Sequence, residues 1–170
     1  IRRPPRSTRK ESSAASDVYK RQRKHNVPSR RWWLIVTPAL DLVASLGIEV
    51  GVHSYKHDPS HKSYGLEVVE ALKVASEQVF KTLVVNLIRT DLKNELVMVL
   101  VPVVKTVNLK VVSSVMKAKK AFLASGVDAE RATGYVVGGI SPLGTRTPLR
   151  TLIDESANNY EILYCSGGRR

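Results

Sequence analysis

The chain has 170 residues, 43% of them hydrophobic and 25% charged, which suits one globular domain able to bury a core of its own. Its formal charge of +12 invites a polyanion partner only until the charge is located, because residues 1–36 hold eleven Lys and Arg against Glu11 and Asp17 while the other 134 residues carry 16 basic and 13 acidic side chains. The single cysteine, Cys165, excludes a disulfide framework or a cysteine metal cage and fits a reducing cytoplasm, and no run reads as a membrane-spanning helix, the apolar residues 32–36 included.

Taken in chain order, residues 1–36 are Arg- and Ser-rich and lack a periodic apolar face, so they stand apart as a non-native or disordered tail from a domain at 37–170. A basic nucleic-acid arm and a transit peptide are the functional alternatives for that stretch. Thr37 followed by Pro38 is a helix start; Leu40, Val43 and Leu46 recur at helical spacing until Gly47. Ile48, Val50 and Val52 alternate with Glu49, Gly51 and His53, which predicts a half-buried strand running to about Tyr55. Beyond a polar loop with Pro59, residues 66–74 read as a second amphipathic helix with Val68, Val69 and Leu72 inward. Residues 79–87 and 96–101 are β-branched, nearly continuous apolar runs and suit central strands. Asn108 caps a helix to Lys117 that packs Leu109, Val112 and Met116, and a short helix follows at 128–132. Strands are expected at 135–137, 151–154 and 160–165. Strands and helices interleave without regular alternation and no repeat is present, so the fold class is mixed α/β (α+β), helices packed on a mixed β-sheet.

Chemistry concentrates in the run Gly134 to Gly144, where an apolar stretch meets a glycine-proline turn. Gly138 and Gly139 reach backbone angles closed to other residues, and Pro142 fixes the far side. Spacing alone leaves two readings open, an ordinary hairpin turn or an amide-lined wall for a carboxylate, a phosphate or an ester carbonyl. Lys81 interrupts an apolar strand on the side of Val79 and Leu83; it either snorkels outward or meets an anionic ligand. His53, His57 and His61 are spaced four apart, but Pro59 argues against the helix that metal ligation would need, so they read as loop histidines. Ser141 misses the nucleophile elbow by one residue and is a poor nucleophile, and no phosphate loop for ATP is present.

Together, Thr37-Pro38-Ala39-Leu40, His53-Ser54-Tyr55 with His57-Asp58-Pro59, Val79-Phe80-Lys81-Thr82-Leu83, Gly134 to Gly144, and Tyr164 with Ser166-Gly167-Gly168 resemble the YbaK family of free-standing Cys-tRNA(Pro) deacylases. The resemblance implies a curved mixed sheet like that of the editing domain of bacterial prolyl-tRNA synthetases, and hydrolysis of a mischarged aminoacyl ester without metal or cofactor. The implied partners are the aminoacylated 3′ end of tRNA and prolyl-tRNA synthetase, in the cytoplasm and away from membranes. Carried over by matching motifs, Lys81 is the catalytic residue, contacting the tRNA terminus or its phosphate. Tyr55 and Thr82 line the same pocket, Gly138, Gly139, Ile140, Ser141 and Pro142 form the loop around the aminoacyl group, and Ser166 stands on the opposite wall. The attacking group in that family is the substrate's own cysteinyl thiol, so no protein nucleophile is required. A deacylase for another small aminoacyl group such as Ala-tRNA(Pro), and a non-catalytic synthetase- or tRNA-binding module, are the alternatives. Residues 1–22 resemble a translated sequencing adapter, no methionine precedes Met98, and the family continues past Ser-Gly-Gly into a strand with an acidic residue, so the chain reads as a piece incomplete at its C-terminus.

Overall fold

The computed structural model describes residues 36–55, 57, 64–90 and 94–169. Thr37–Arg170 forms one compact unit, and the tail expected over residues 1–36 lies, except for Val36, outside the described residues.

Helix α1 (Pro38–Ser45) forms where its start signal stands: Thr37 Oγ1 accepts from the Leu40 amide at 3.3 Å and Pro38 occupies the first turn. Its buried face is Ala39 and Val43, whereas Leu46 is exposed. The strand expected over 48–55 does not form; Ile48, Val50, Val52 and Tyr55 are all exposed. Alternation marks a chain that could pair, but a strand exists only with a neighbour's ladder, and none is supplied here among the described residues.

Helix α2 (Tyr64–Leu72) begins two residues earlier than its periodicity suggested, and its fully buried residue is Glu67, with Val68, Val69 and Leu72 half-buried. Strands β1 (Phe80–Ile88) and β2 (Glu95–Pro102) pair antiparallel from Phe80 opposite Pro102 to Leu87 opposite Glu95. They are the central strands of a four-stranded sheet. Helix α3 (Leu109–Val115) is capped by Asn108, whose Oδ1 accepts from the amides of Lys110 and Val111 at 3.1 and 3.2 Å. Both α2 and α3 close on a lysine in the left-handed region, Lys73 (φ 54°) and Lys117 (φ 50°), which is why no glycine announced their ends.

Strand β3 (Lys120–Leu123) has no counterpart in the sequence reading; it pairs antiparallel with β1, from Val85 opposite Leu123 to Ile88 opposite Lys120. Helix α4 (Gly126–Thr133) is capped by Ser125 and ends on Gly134. The strand expected at 135–137 is instead a turn: the Gly139 amide donates to Val136 O at 2.9 Å, and only Tyr135 of the three is buried. Strand β4 (Arg150–Ile153) forms as expected and runs parallel to β2. The longer strand expected at 160–165 shrinks to one parallel bridge, Val79 to Tyr164, with Ile162 exposed.

The order β3-β1-β2-β4, with antiparallel and parallel neighbours, makes the sheet mixed and the architecture α+β. Pleat alternation gives it two different faces. Val85, Leu87, Val97, Val99 and Val101 join Val112 and Met116 of the α3 region in one core cluster, each of the fully buried ones contributing about 1.5–3 kcal/mol. Val84 joins Ala39, Ala129, Tyr135 and Ile140 in a second cluster on the other face.

Candidate active site

The second cluster is built around Tyr135, 4% exposed, whose hydroxyl donates to Leu143 O at 2.8 Å. Burial raises the phenol's pKa, partly offset by its hydrogen bonds to the Ala39 backbone and Ser141, so it stays a neutral donor. Three stretches far apart in sequence close on this ring. Thr37 Oγ1 donates to Gly167 O at 2.5 Å, and Ser166 Oγ donates to Gly139 O at 2.9 Å while accepting from the Gly168 amide at 3.1 Å. A Cβ on Gly168 would lie 2.4 Å from the Tyr135 ring, and one on Gly144 2.3 Å from Pro38 O, so the approach of backbone to ring and of backbone to backbone is possible only without side chains.

The loop so held is unusual in its hydrogen bonds. Val137 donates to Glu130 Oε1 and Gly139 to Val136 O, and the Leu143 amide to Ser141 Oγ at 3.2 Å. The amides of Gly138, Ile140 and Ser141 find no acceptor among the described residues; Gly138 is exposed, whereas Ile140 is 8% and Ser141 0% exposed. A buried amide without a partner costs about 1–3 kcal/mol, and adjacent ones form the donor set that an oxyanion or carbonyl oxygen fits. Ser141, wholly enclosed with its hydroxyl bonded to the loop, is no accessible nucleophile. On β1, Thr82 lies on the pleat side of Val84, facing this cluster, and its buried Oγ1 has no partner among the described residues; the same holds for Asn86 Oδ1.

Lys81 lies by alternation on the opposite pleat side. Its Nζ donates to Val103 O at 3.2 Å and forms no ion pair among the described residues, leaving a half-buried cation bound to a neutral carbonyl. Val103 packs on the start of α2: a Cβ on Gly65 would lie 2.4 Å from its side chain. The neighbouring Tyr64 ring reaches the glycine loop, 3.1 Å from where a Cβ on Gly138 would stand, and Gly138 itself is at φ 93°. Lys81 and the loop are therefore connected around the end of the sheet through Val103, Gly65 and Tyr64.

Sequence reasoning missed what lies beside Tyr64. His57 stacks on its ring, centroids 4.9 Å apart, and His57 Nδ1 meets Glu67 Oε2 at 2.8 Å. The available signal was a glutamate in the first turn of the helix, set between Leu66 and Val68. Tyr55, 37% exposed, is drawn into the same electrostatic group: its pKa is raised by desolvation, then by Glu67 and Tyr64. The histidines diverge, His53 packing against Tyr164 at 5.9 Å and His61 lying outside the described residues, and no group of three metal-ligating side chains occurs among the described residues. Cys165 is an exposed residue whose thiol is nonetheless desolvated enough to raise its pKa, which keeps it in the unreactive protonated form.

An open depression of about 840 Å³ lies elsewhere, lined by Arg89, Glu95, Asp128, Arg131 and Arg150 among others. Its central charges are already paired: Glu95 accepts from Arg150 at 2.7 and 2.8 Å and from Arg89 at 2.9 Å. The amides without an acceptor among the described residues are on the loop instead.

Among the described residues no helix is long and apolar enough to cross a membrane. The fold is shared with solved structures: the hypothetical protein APE2540 (TM-score 0.68, 20% identity, 78% of this chain and 83% of that one) and a provisional trans-editing enzyme for prolyl-tRNA synthetase (TM-score 0.56, 22% identity, 65% and 67%). In sequence, the chain is 31% identical over 103 residues to EbsC of Enterococcus faecalis, a protein provisionally named a Cys-tRNA(Pro)/Cys-tRNA(Cys) deacylase; the match covers 61% of this chain and 60% of that relative. The model of the aminoacyl-tRNA editing domain matches residues 58–170, which include α2, all four strands, the glycine loop and Ser166. The chain belongs to the aminoacyl-tRNA editing domain family.

Proposed function

We propose that this chain cleaves the ester of mischarged Cys-tRNA(Pro) in trans, as a cytoplasmic partner of prolyl-tRNA synthetase. The observation that carries the reading is the set of acceptor-free amides at Gly138, Ile140 and Ser141, in a loop fixed by Ser166 and Tyr135. Those amides polarise the ester carbonyl and stabilise the oxyanion; the cysteinyl thiol attacks, so positioning and electrostatics replace a protein nucleophile. Thr82 Oγ1 supplies an unspent hydroxyl on the same side, and Pro142 keeps the loop rigid. Lys81, without a carboxylate partner, holds the terminal phosphate of the tRNA, and Tyr55 borders the same end of the site.

A pocket made largely of backbone discriminates weakly among small side chains, so Ala-tRNA(Pro) is the competing substrate and a non-catalytic tRNA- or synthetase-binding module the competing class. Deacylation of purified Cys-tRNA(Pro), Cys-tRNA(Cys) and Ala-tRNA(Pro) separates them. The expected result is release of cysteine fastest, lost in Lys81→Met with melting temperature kept, and blocked in Gly138→Val. Binding without release of any amino acid would favour the module; wild-type rate in Lys81→Met would remove Lys81 from the site.

A further inference from the structure

We propose that His57, oriented by Glu67, is the proton relay of the ester cleavage, an inference that rests on the deacylase reading above. Three observations converge. First, Glu67 is a carboxylate 6% exposed on the inner face of α2, an expensive place for a charge unless it is spent on a partner. Second, it holds His57 through Nδ1 at 2.8 Å, which fixes the ring's tautomer and orientation as a carboxylate does for a general base. Third, Nε2 has no partner among the described residues, and the side chain remains 31% exposed, open to an incoming group.

Placement supports the assignment. The His57 ring lies flat enough on Tyr64 (30° between planes) to be held by it, and the far edge of Tyr64 touches the Gly138 turn. An aminoacyl group seated on the loop amides at Gly138 is thus one aromatic ring away from the free imidazole nitrogen. The pair leaves one ring nitrogen without a partner among the described residues, on a side chain that solvent still reaches.

The relay balances without a further reactant. His57 Nε2 accepts the thiol proton as sulfur bonds to the carbonyl carbon, and the loop amides hold the oxyanion. Collapse then breaks the bond to the ribose oxygen, and Nε2 returns the proton to that leaving oxygen, giving a thiolactone and tRNA with its free hydroxyl. His57 is the catalytic residue of this step and Glu67 its positioning residue.

The test is single-turnover and steady-state deacylation of Cys-tRNA(Pro) by the full chain and its variants. His57→Ala is expected to lower kcat by about 10²-fold or more with KM little changed, and added imidazole to restore part of the rate. Glu67→Gln is expected to lower kcat, and Glu67→Asp to recover some of it, both read against melting temperature. His57→Ala at wild-type rate, or its loss unrelieved by imidazole, overturns the relay while leaving the deacylase reading intact. A wild-type chain that releases no amino acid from any of the three tRNAs overturns both.

Discussion

Strand β1 presents two faces made from alternate residues of one nine-residue segment, and they differ in what they leave unfinished. Toward α3, Leu83, Val85 and Leu87 meet Val97, Val99 and Val101, and every contact is apolar. Toward the glycine loop, Thr82, Val84 and Asn86 meet a cluster in which two side-chain oxygens and three main-chain amides have no partner among the described residues. The first face stabilises the sheet along most of its length, and on β1 it leaves only Lys81, at its end, for a ligand. The second gives up hydrogen-bond energy that a bound ester would return, so along most of β1 the pleat puts apolar packing on one side and unspent hydrogen-bonding groups on the other.

The sharpest way to break that division is to damage each face in turn. Leu87→Ala, at a site with 0% exposure, is expected to cost about 2–5 kcal/mol in urea unfolding while leaving the deacylation rate per folded molecule unchanged. Gly144→Ala strikes the other face: the new Cβ would meet Pro38 O at 2.3 Å from a residue at φ 64°, for a cost of about 3 kcal/mol. Here the rate per folded molecule should fall as well, because the loop's seat moves. Equal loss of specific activity in the two variants would mean that the faces are not independent.

A smaller effect of opposite sign sharpens the same point. Thr82→Val keeps the shape and removes a buried hydroxyl without a partner, so stability should rise by up to about 1 kcal/mol while deacylation falls roughly tenfold. A stability loss in thermal unfolding would show that Thr82 is bonded in solution and is no reserve for a ligand.

How much of this was legible in the sequence follows the same line. β1 and β2 were readable because central strands must be apolar on both sides, and α1 and α3 because Thr37 and Asn108 carry capping chemistry. Residues 48–55 and 160–165 misled because alternation reports a capacity to pair, and pairing is decided by whether a neighbour exists. β3 escaped notice because it is four residues long, opens on Lys120 and buries only Ala121. Of the site, the residues with a motif were named, Lys81, Thr82, the loop and Ser166. What motifs could not give is which side of the sheet each occupies, since Lys81 and Thr82 are neighbours in sequence and opposed in space. His57 was quoted in a motif and read as a loop histidine, but its pairing with Glu67 was invisible: ten residues apart, they are joined only by the fold.

The weakest expected effect belongs to neither face. Glu95 sits at the end of β2, where Arg150 and then Arg89 hold its pKa below the ordinary glutamate value of about 4.3. A carboxylate depressed in the folded state contributes stability that is fully present above that ordinary value and is lost as pH falls through the lower folded one. These pairs are on the rim, with Arg150 57% and Glu95 30% exposed, so screening keeps the contribution small. Glu95→Gln should therefore lower the melting temperature slightly at neutral pH, and the difference from wild type should vanish as pH falls below about 4.3. It should also leave deacylation at neutral pH unaltered, because Glu95 is already paired with Arg150 and Arg89 and is no part of the glycine loop; a large rate change at neutral pH would instead tie the arginine rim to substrate binding.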